Sequence, residues 1–448
     1  MKTLLWFEIL GVIILMALGA TLFNYGVLIG VLALVFVLAM AGARFVMSAK
    51  KARIELGLAG VFEVCQVLWL IGNTGTLWAL SRVVLVVYLL YLFYRKAVEV
   101  HRGARLRGLG VVSLALLLVV SAGASYLTYA TVNPSIIART MMGENSFESI
   151  KTRAVDFDSA KYTSHFDVEY AEDYPNSYLD IVTLNDGKPH PTYFYVHGGG
   201  FTAGDKMVGD PNTKAQDDYM AYFFTDMLEQ GYNVVSINYA LAPEYIYPVA
   251  TRQADQAVRF LQENGDRYGI SMDDVVFAGG SAGGYIAAGF VTAQLDPAYA
   301  ESIGVAPAMS KDQIKAMVLE SPALNPAQSG KTQAPSVLAD YIFQTILGSY
   351  LDTTSVSPDK TVMDRSNLIA KVNAAFPPTF LSDGNNATFP DQSIDYQKAL
   401  ESYGIKSEVY IPNREEVGAK GHGYMVNLQD PTSKVFLDKR REFLSSLG

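Results

Sequence analysis

The chain has 448 residues, of which half are hydrophobic and 18% are charged, and its mean hydropathy is +0.17. Its charge is divided unevenly: residues 1–107 carry a net charge of +7, so the remaining 341 residues carry −16 of the total of −9. This division favours a basic membrane segment joined to an acidic soluble domain over a nucleic-acid-binding protein, and the single cysteine, Cys65, excludes intrachain disulfides and cysteine metal sites.

The first part of the chain contains five apolar runs, each close to the roughly 20 residues that span a bilayer as a helix. The runs cover residues 3–23, 26–47, 57–72, 77–94 and 108–130. Basic residues occur at Lys2, in 48–53 and in 95–107, whereas the other two connections are uncharged turns. Because positively charged loops stay in the cytoplasm, the pattern predicts a transmembrane region of about five helices over 1–131. It also predicts that the rest of the chain lies outside the cell membrane.

Two charged residues, Glu63 and Arg82, fall within the predicted spans. Ionisable groups inside a bilayer pair with one another or mark a functional site. We favour an ion pair between the third and fourth spans, or side chains that reach the membrane surface. The alternative is an intramembrane site for a polar substrate.

The remainder of the chain alternates between short apolar strands and helical patterns. The predicted strands are 165–170, 177–184, 192–196, 233–239, 275–278, 316–319, 379–382 and 406–411, and the predicted helices include 218–229, 251–264, 285–293 and 392–403. Such alternation predicts an α/β fold with a mostly parallel sheet, helices on both faces, and an active site beyond the carboxyl ends of the strands. We therefore expect a linker at 132–164 and a domain at 165–448, within which 325–376 forms a possible cap segment.

A serine between glycines, in the run Gly279-Gly280-Ser281-Ala282-Gly283, lies between a predicted strand and a predicted helix. This spacing is typical of a nucleophile elbow, where a strained turn exposes the serine hydroxyl and the glycines avoid collisions with the neighbouring elements. The alternative is a glycine-rich turn in which the serine is incidental.

A second glycine motif, His197-Gly198-Gly199-Gly200-Phe201, directly follows a predicted strand. Consecutive glycines leave backbone N–H groups free to face a ligand, as in the oxyanion loops of lipases and esterases. A phosphate-binding loop is disfavoured because no Lys-Ser/Thr pair follows.

Of the five histidines, only His422 follows Ser281 in the chain. The hydrolase order of nucleophile, acid and histidine therefore makes His422 the candidate general base, and it lies between two glycines.

The four motifs together resemble the hormone-sensitive-lipase-like branch of the α/β-hydrolase esterases. The matching segments are 197–201, Asn238-Tyr239-Ala240-Leu241-Ala242-Pro243-Glu244, 279–284 and Gly421-His422-Gly423. The resemblance covers about 165–448. It implies that Ser281 is the nucleophile and His422 the base, and that the N–H groups of Gly198, Gly199 and Ala282 form the oxyanion hole. It further implies that His197 braces its loop.

The acid is where the sequence departs from the family, because the position of the family's aspartate falls on or near Ala387. Asp383 is the nearest carboxylate and Asp391 the second candidate. Asp383 and Gly384 could instead simply turn the chain. An asparagine, Asn385 or Asn386, orienting the histidine is a further alternative.

These features predict a membrane-tethered serine carboxylic-ester hydrolase that acts outside the cytoplasmic membrane on a small-molecule, lipid or glycan ester. No cofactor, metal or nucleic acid is expected. The alternatives are a membrane-linked acyltransferase that uses the same acyl-enzyme, and a non-catalytic sensor or scaffold with a hydrolase-like domain.

Overall fold

The computed structural model describes residues 9–15, 75–102, 107–142, 157–207, 219–333, 336–354 and 358–448, together with isolated positions between 35 and 68. These residues form two compact units. The first comprises Met1–Ile137 with Asp340–Gly348 and Thr353–Asp359, and the second comprises Ala138–Ala339, Ser349–Asp352 and Lys360–Gly448.

The helices and strands alternate through the second half of the chain. The helices are α1 (Gly75–Arg102), α2 (Arg107–Val132), α3 (Ser135–Met142), α4 (Tyr219–Glu229), α5 (Val249–Tyr268), α6 (Ala282–Leu295), α7 (Pro297–Ile303), α8 (Val337–Leu351), α9 (Lys360–Ser366), α10 (Pro390–Glu401), α11 (Arg414–Val417) and α12 (Pro431–Ser445). The strands are β1 (Tyr162–Glu169), β2 (Tyr178–Leu184), β3 (Thr192–Val196), β4 (Asn233–Ile237), β5 (Val275–Gly280), β6 (Ile314–Glu320), β7 (Thr379–Ser382) and β8 (Ser407–Tyr410). Short 3₁₀ helices lie at Lys311–Gln313, Pro326–Gln328, Ile369–Lys371 and Tyr424–Val426.

In the first unit, α1 and α2 coincide with the fourth and fifth apolar runs of the sequence. Their buried contacts are apolar and include Leu85, Leu89, Leu92 and Ala124. Among the residues that the structure describes, no helix combines the length and the apolarity that crossing a bilayer requires. The described residues therefore do not support the predicted transmembrane region. Most of the first three apolar runs lies outside those residues, and the arrangement of five spans stays a prediction.

Arg82 of α1 is buried, and its guanidinium carbon lies 5.0 Å from the centroid of the Trp78 ring. Such a cation–π contact stabilises the charge of a desolvated guanidinium. Glu63, its predicted ion-pair partner, lies outside the described residues, so that pair also stays a prediction.

The middle of helix α8, which lies within the predicted cap segment, belongs to the first unit. There the Tyr341 hydroxyl donates a hydrogen bond of 3.0 Å to the Leu127 carbonyl of α2. Tyr341 also packs in a small buried cluster with Ala130 and Ile137. The Tyr341 hydroxyl and its apolar neighbours thus hold this part of α8.

The second unit is built on one eight-stranded sheet with the order β1-β2-β4-β3-β5-β6-β7-β8. The β1–β2 and β2–β4 pairs are antiparallel, and every later pair is parallel. Strands β3 and β4 are buried at every residue, as expected for central strands that are covered on both faces. The predicted mostly parallel α/β fold is confirmed.

Helices cover both faces of this sheet. Tyr193 and Tyr195 of β3 contact Phe223 of α4 on one face. On the other face Phe277 of β5 packs on Phe290 of α6, with 4.9 Å between ring centroids. Successive side chains of a strand point to opposite faces of the sheet. Aromatic side chains of β3 and β5 therefore anchor the helices on each of the two faces.

The register of β3 sets the position of the site. Val196, the last residue of β3, pairs with Gly279 of β5 and with Ile237 of β4. The loop after β3 and the turn after β5 therefore emerge side by side at the carboxyl edge of the sheet.

Candidate active site

Ser281 occupies the turn between β5 and α6 with backbone angles of φ 52° and ψ −116°. A Cβ at Gly279 would lie 2.4 Å from the carbonyl carbon of Gly283, and a Cβ at Gly283 would lie 2.0 Å from the carbonyl oxygen of Val196. No side chain fits at either distance. The strained turn that the glycine spacing predicts is therefore present, and both glycines are required by close contacts.

A backbone hydrogen bond to the end of β6 holds this turn in place. The Ser281 N–H donates a hydrogen bond of 2.6 Å to the carbonyl of Glu320, the last residue of that strand. The carboxyl of Glu320 is buried, accepts a hydrogen bond of 3.1 Å from the Tyr219 hydroxyl, and lies 3.9 Å from the guanidinium of Arg440. Burial raises the pKa of Glu320 to about 7, against the opposing influence of Arg440.

The loop after β3 contains Gly198, Gly199 and Gly200, and this triple-glycine loop packs directly against Ser281. A Cβ at Gly198 would lie 3.4 Å from the Cβ of Ser281 and 2.9 Å from the carbonyl oxygen of Gly280. Gly199 has φ 113°, and a Cβ there would lie 2.1 Å from the carbonyl oxygen of Ala203. The loop can adopt this path only with glycine at both positions. It brings the backbone of Gly198 beside Ser281 and the start of α6 at Ala282.

His197 braces this loop, which is the role that the resemblance to the esterases implies for it. Its ring stacks on Tyr239, with 4.4 Å between centroids and 13° between planes, and its Nδ1 donates to the Gly198 carbonyl at 2.7 Å. The Tyr239 hydroxyl donates to the His197 carbonyl at 3.0 Å. Burial lowers the pKa of His197 to about 4, so this imidazole is neutral near pH 7.

A buried lysine holds the far end of the same loop. Lys206 Nζ lies 2.7 Å from Asp167, 3.4 Å from Asp205 and 3.6 Å from Asp180. Its backbone N–H donates to the Asn238 side chain at 2.7 Å. A buried charge needs such partners. Sequence reasoning missed Lys206 because its three carboxylates come from β1, β2 and the loop itself.

His422 faces the serine. Its Nε2 lies 2.8 Å from Ser281 Oγ, and the next residue, Gly423, donates its N–H to Ser321 Oγ at 3.1 Å. Packing around the imidazole lowers the pKa of His422 below its usual value, and the Asp383 carboxylate opposes this effect. The two residues that the sequence paired as nucleophile and base are thus within hydrogen-bond distance.

Asp383 lies directly after β7 and is fully buried. Its carboxylate accepts hydrogen bonds from the Gly384 N–H at 2.8 Å, the Phe389 N–H at 2.9 Å and the Thr388 hydroxyl at 2.6 Å. Burial raises the pKa of Asp383, while the nearby His422 and the hydrogen-bond donors lower it. The same Thr388 Oγ1 lies 3.0 Å from His422 Nδ1, so a hydroxyl connects the carboxylate to the imidazole.

The other candidates for the acid are placed differently. Asp391 is exposed in the first turn of α10, where its carboxylate accepts a hydrogen bond from Gln333. The Asn385 amide donates to the Pro412 and Gly418 carbonyls at 2.9 and 3.0 Å. The backbone N–H of Asn386 donates to the Lys420 carbonyl. Asp383 is therefore the candidate that the structure brings to His422. Asn385 instead braces the loop that carries His422, called the histidine loop below.

Gly384 does more than turn the chain. A Cβ at this position would lie 2.3 Å from the Lys420 carbonyl oxygen and 2.4 Å from that of Gly421. The histidine loop therefore rests on the bare backbone of Gly384, and any side chain there would displace His422.

Comparison with known proteins agrees with this architecture. A family model described as alpha/beta hydrolase fold matches residues 193–424, just over half of the chain, and the chain belongs to this family.

Among curated proteins, the chain is 40% identical over 106 residues to the esterase LipI of Mycobacterium tuberculosis, covering 24% of this chain and 30% of that protein. It is 28% identical over 222 residues to the carboxylesterase NlhH of the same organism, covering 49% of this chain and 63% of that protein. The chain thus spans less than two thirds of the length of each of these relatives.

Among solved structures, esterase B from Lactobacillus rhamnosis superposes with a TM-score of 0.51 at 22% identity, covering 64% of this chain and 86% of the other. At this identity the likeness shows the fold alone.

Proposed function

We propose that the chain hydrolyses carboxylic esters through an acyl-enzyme on Ser281. The observation that carries the proposal is the 2.8 Å contact between Ser281 Oγ and His422 Nε2, on a strained turn packed against the triple-glycine loop. A serine alone is a weak nucleophile, and an adjacent neutral imidazole activates it by accepting its proton.

In the first half-reaction, Ser281 Oγ attacks the ester carbonyl carbon while its proton moves to His422 Nε2. The carbonyl oxygen becomes an oxyanion, which the N–H groups of Gly198, Gly199 and Ala282 stabilise. When the tetrahedral intermediate collapses, the bond to the alcohol oxygen breaks. That oxygen takes the proton from His422, which leaves the acyl group on Ser281.

Water completes the cycle. It attacks the acyl-enzyme as its proton moves to His422 Nε2, and the second collapse returns that proton to Ser281 Oγ and releases the carboxylic acid. Both halves require neutral His422, and the burial that lowers the pKa of this residue favours its neutral form. The esterase names of the curated relatives support this reaction class.

The test is hydrolysis of p-nitrophenyl acetate by the full chain and by Ser281→Ala, with Ser402→Ala as a matched control. Ser402 is an exposed serine at the end of α10. We expect turnover to fall at least about 10³-fold in Ser281→Ala and to stay unchanged in Ser402→Ala. Labelling with a fluorophosphonate should disappear in Ser281→Ala only. Equal turnover in all three proteins would exclude Ser281 as the nucleophile, and an unlabelled, inactive full chain would favour a non-catalytic scaffold.

We further propose that residues 1–131 attach this domain to the cytoplasmic membrane with the active site on the outer side. The support is the pattern of apolar runs and basic connections in the sequence. After alkaline extraction the chain should remain in the membrane pellet. A membrane-impermeant fluorophosphonate should label Ser281 in intact cells, and labelling only after lysis would reverse the proposed orientation.

A further inference from the structure

The Thr388 hydroxyl occupies the space between the buried carboxylate and the imidazole. Its Oγ1 lies 2.6 Å from Asp383 Oδ1 and 3.0 Å from His422 Nδ1, and the side chain is fully buried. Both distances are those of ordinary hydrogen bonds. Water has no access to the hydroxyl, so these two groups are its partners.

Proton accounting fixes the direction of both hydrogen bonds. A hydroxyl has one proton to donate and lone pairs to accept. An ionised Asp383 can only accept, so Thr388 donates to Asp383 and presents a lone pair to His422. His422 Nδ1 must then carry the second proton. Nε2 is left unprotonated toward Ser281, and this is the tautomer that a general base requires.

The backbone around Thr388 holds the hydroxyl in place. Gln333 and Thr388 form an isolated antiparallel bridge, in which the Gln333 N–H donates to the Thr388 carbonyl at 3.0 Å and the Ala387 N–H donates back to Gln333 at 2.8 Å. On the other side, the Phe389 N–H is bound to Asp383 Oδ2, and its ring meets the His422 ring edge-on at 5.7 Å. Thr388 therefore cannot move without disturbing the carboxylate or the imidazole.

We propose that Thr388 is a positioning residue, whose hydroxyl links the His422 imidazole to the Asp383 carboxylate. The proposal rests on the esterase function proposed above. When His422 accepts the Ser281 proton, its Nδ1–H stays bound to Thr388. The negative charge of Asp383 then stabilises the imidazolium through the polarised hydroxyl. No proton needs to reach Asp383 in this arrangement.

The central variants are Thr388→Val, which keeps the shape and removes the hydroxyl, and Thr388→Ser, which keeps the hydroxyl. With p-nitrophenyl acetate we expect kcat to fall about 10- to 10³-fold in Thr388→Val with KM within twofold, because misoriented tautomers of histidine cost up to about 10⁴ in related sites. Thr388→Ser should stay within about threefold of the unaltered chain.

The pH profile separates positioning from a merely structural role. Without the hydroxyl, the imidazolium loses its Nδ1 acceptor, so the pKa of His422 falls. The acid limb of kcat/KM should therefore move to lower pH in Thr388→Val and stay in place in Thr388→Ser. A slower variant with an unmoved acid limb would overturn the proposal. If Thr388→Val does not fold, as judged by its thermal melt, Thr388→Ala provides the same comparison with a smaller side chain.

A double-mutant cycle with Asp383→Asn tests whether the two residues act as one unit. If the carboxylate acts through Thr388, the double variant should be within about twofold of Asp383→Asn alone. If Asp383 contacted His422 directly, Thr388→Val would keep the unaltered rate while Asp383→Asn lost it, and this outcome overturns the proposal. The unaltered chain is assayed first: hydrolysis that depends on Ser281 confirms the function separately, whereas its absence overturns both proposals.

Discussion

Phe201 and Tyr350 stack face to face, with 3.7 Å between ring centroids and 6° between ring planes. Phe201 ends the triple-glycine motif and has φ 63°, and its carbonyl accepts the Ala242 N–H at 2.8 Å. Tyr350, near the end of α8, in turn accepts the Tyr247 N–H at its carbonyl. The loop that contacts Ser281 is therefore fixed by an aromatic contact with the predicted cap segment.

Removing the Tyr350 ring should loosen this loop. We expect Tyr350→Ala to lower kcat about 10- to 100-fold and to destabilise the fold by about 3–5 kcal/mol, the usual cost of truncating a buried aromatic. Tyr350→Phe keeps the stack and should stay close to the unaltered chain in both respects. Steady-state kinetics and urea denaturation measure the two effects. Normal kcat in a destabilised Tyr350→Ala would show that the stack serves stability only.

His197 should affect rate but not the pH profile. In His197→Phe the stack on Tyr239 can persist, but the hydrogen bond from Nδ1 to the Gly198 carbonyl is lost, so we expect kcat to fall about tenfold. Because the pKa of His197 is about 4, it does not titrate near neutral pH, and the acid limb of kcat/KM should stay in place. Movement of the acid limb in His197→Phe would show that the titration had been attributed to the wrong histidine, His422. His422→Ala should abolish turnover.

Gly384 and Gly421 face each other but should respond differently to alanine. A Cβ at Gly384 would lie 2.3 Å from the Lys420 carbonyl oxygen, whereas the nearest atom to a Cβ at Gly421 is 3.9 Å away. We expect Gly384→Ala to displace the histidine loop and lower kcat at least about 100-fold, and Gly421→Ala to be tolerated within a few fold. Comparable rates in the two variants would mean that the loop tolerates the shift.

Glu320 should make stability fall as pH rises. Its pKa is about 7 in the folded protein against 4.5 for the free side chain, because burial disfavours the carboxylate. Between these two values the folded state holds more protons than the unfolded state, so the free energy of unfolding decreases with increasing pH. This shift corresponds to a loss on the order of 3 kcal/mol between about pH 4.5 and 7.

The check is urea denaturation of the unaltered chain and of Glu320→Gln at pH 5 and pH 8. The amide cannot ionise, and it retains an acceptor for the Tyr219 hydroxyl. We expect Glu320→Gln to gain stability relative to the unaltered chain on going from pH 5 to pH 8. A constant difference between the two proteins would show that Glu320 keeps its charge at both pH values through Arg440, 3.9 Å away.

The sequence predicts the α/β fold and the pairing of Ser281 with His422 because both rest on local requirements. Strand and helix periodicity is visible within a few residues. Glycine is needed at 279 and 283 because a side chain there would collide with nearby backbone atoms, and the spacing of these glycines around Ser281 already indicates such a turn. Asp383 could be named only as the nearest carboxylate.

Thr388 and Lys206 could not be found in this way. The role of Thr388 depends on a bridge to Gln333 and on a histidine 34 residues away, and Lys206 meets carboxylates from two other strands. A threonine or lysine in a loop has no pattern of its own. Only the three-dimensional contacts distinguish these residues from the many that merely face solvent.

The acid side of the site is encoded in one short stretch of chain. Asp383, the glycine that seats the histidine loop, the hydroxyl at Thr388 and the ring at Phe389 all lie within seven consecutive residues after β7. A transplant of residues 383–389 into a relative that carries the same serine–histidine pair and a matching partner for the Gln333 bridge would exchange the acid side of the site without altering the nucleophile or its oxyanion loop.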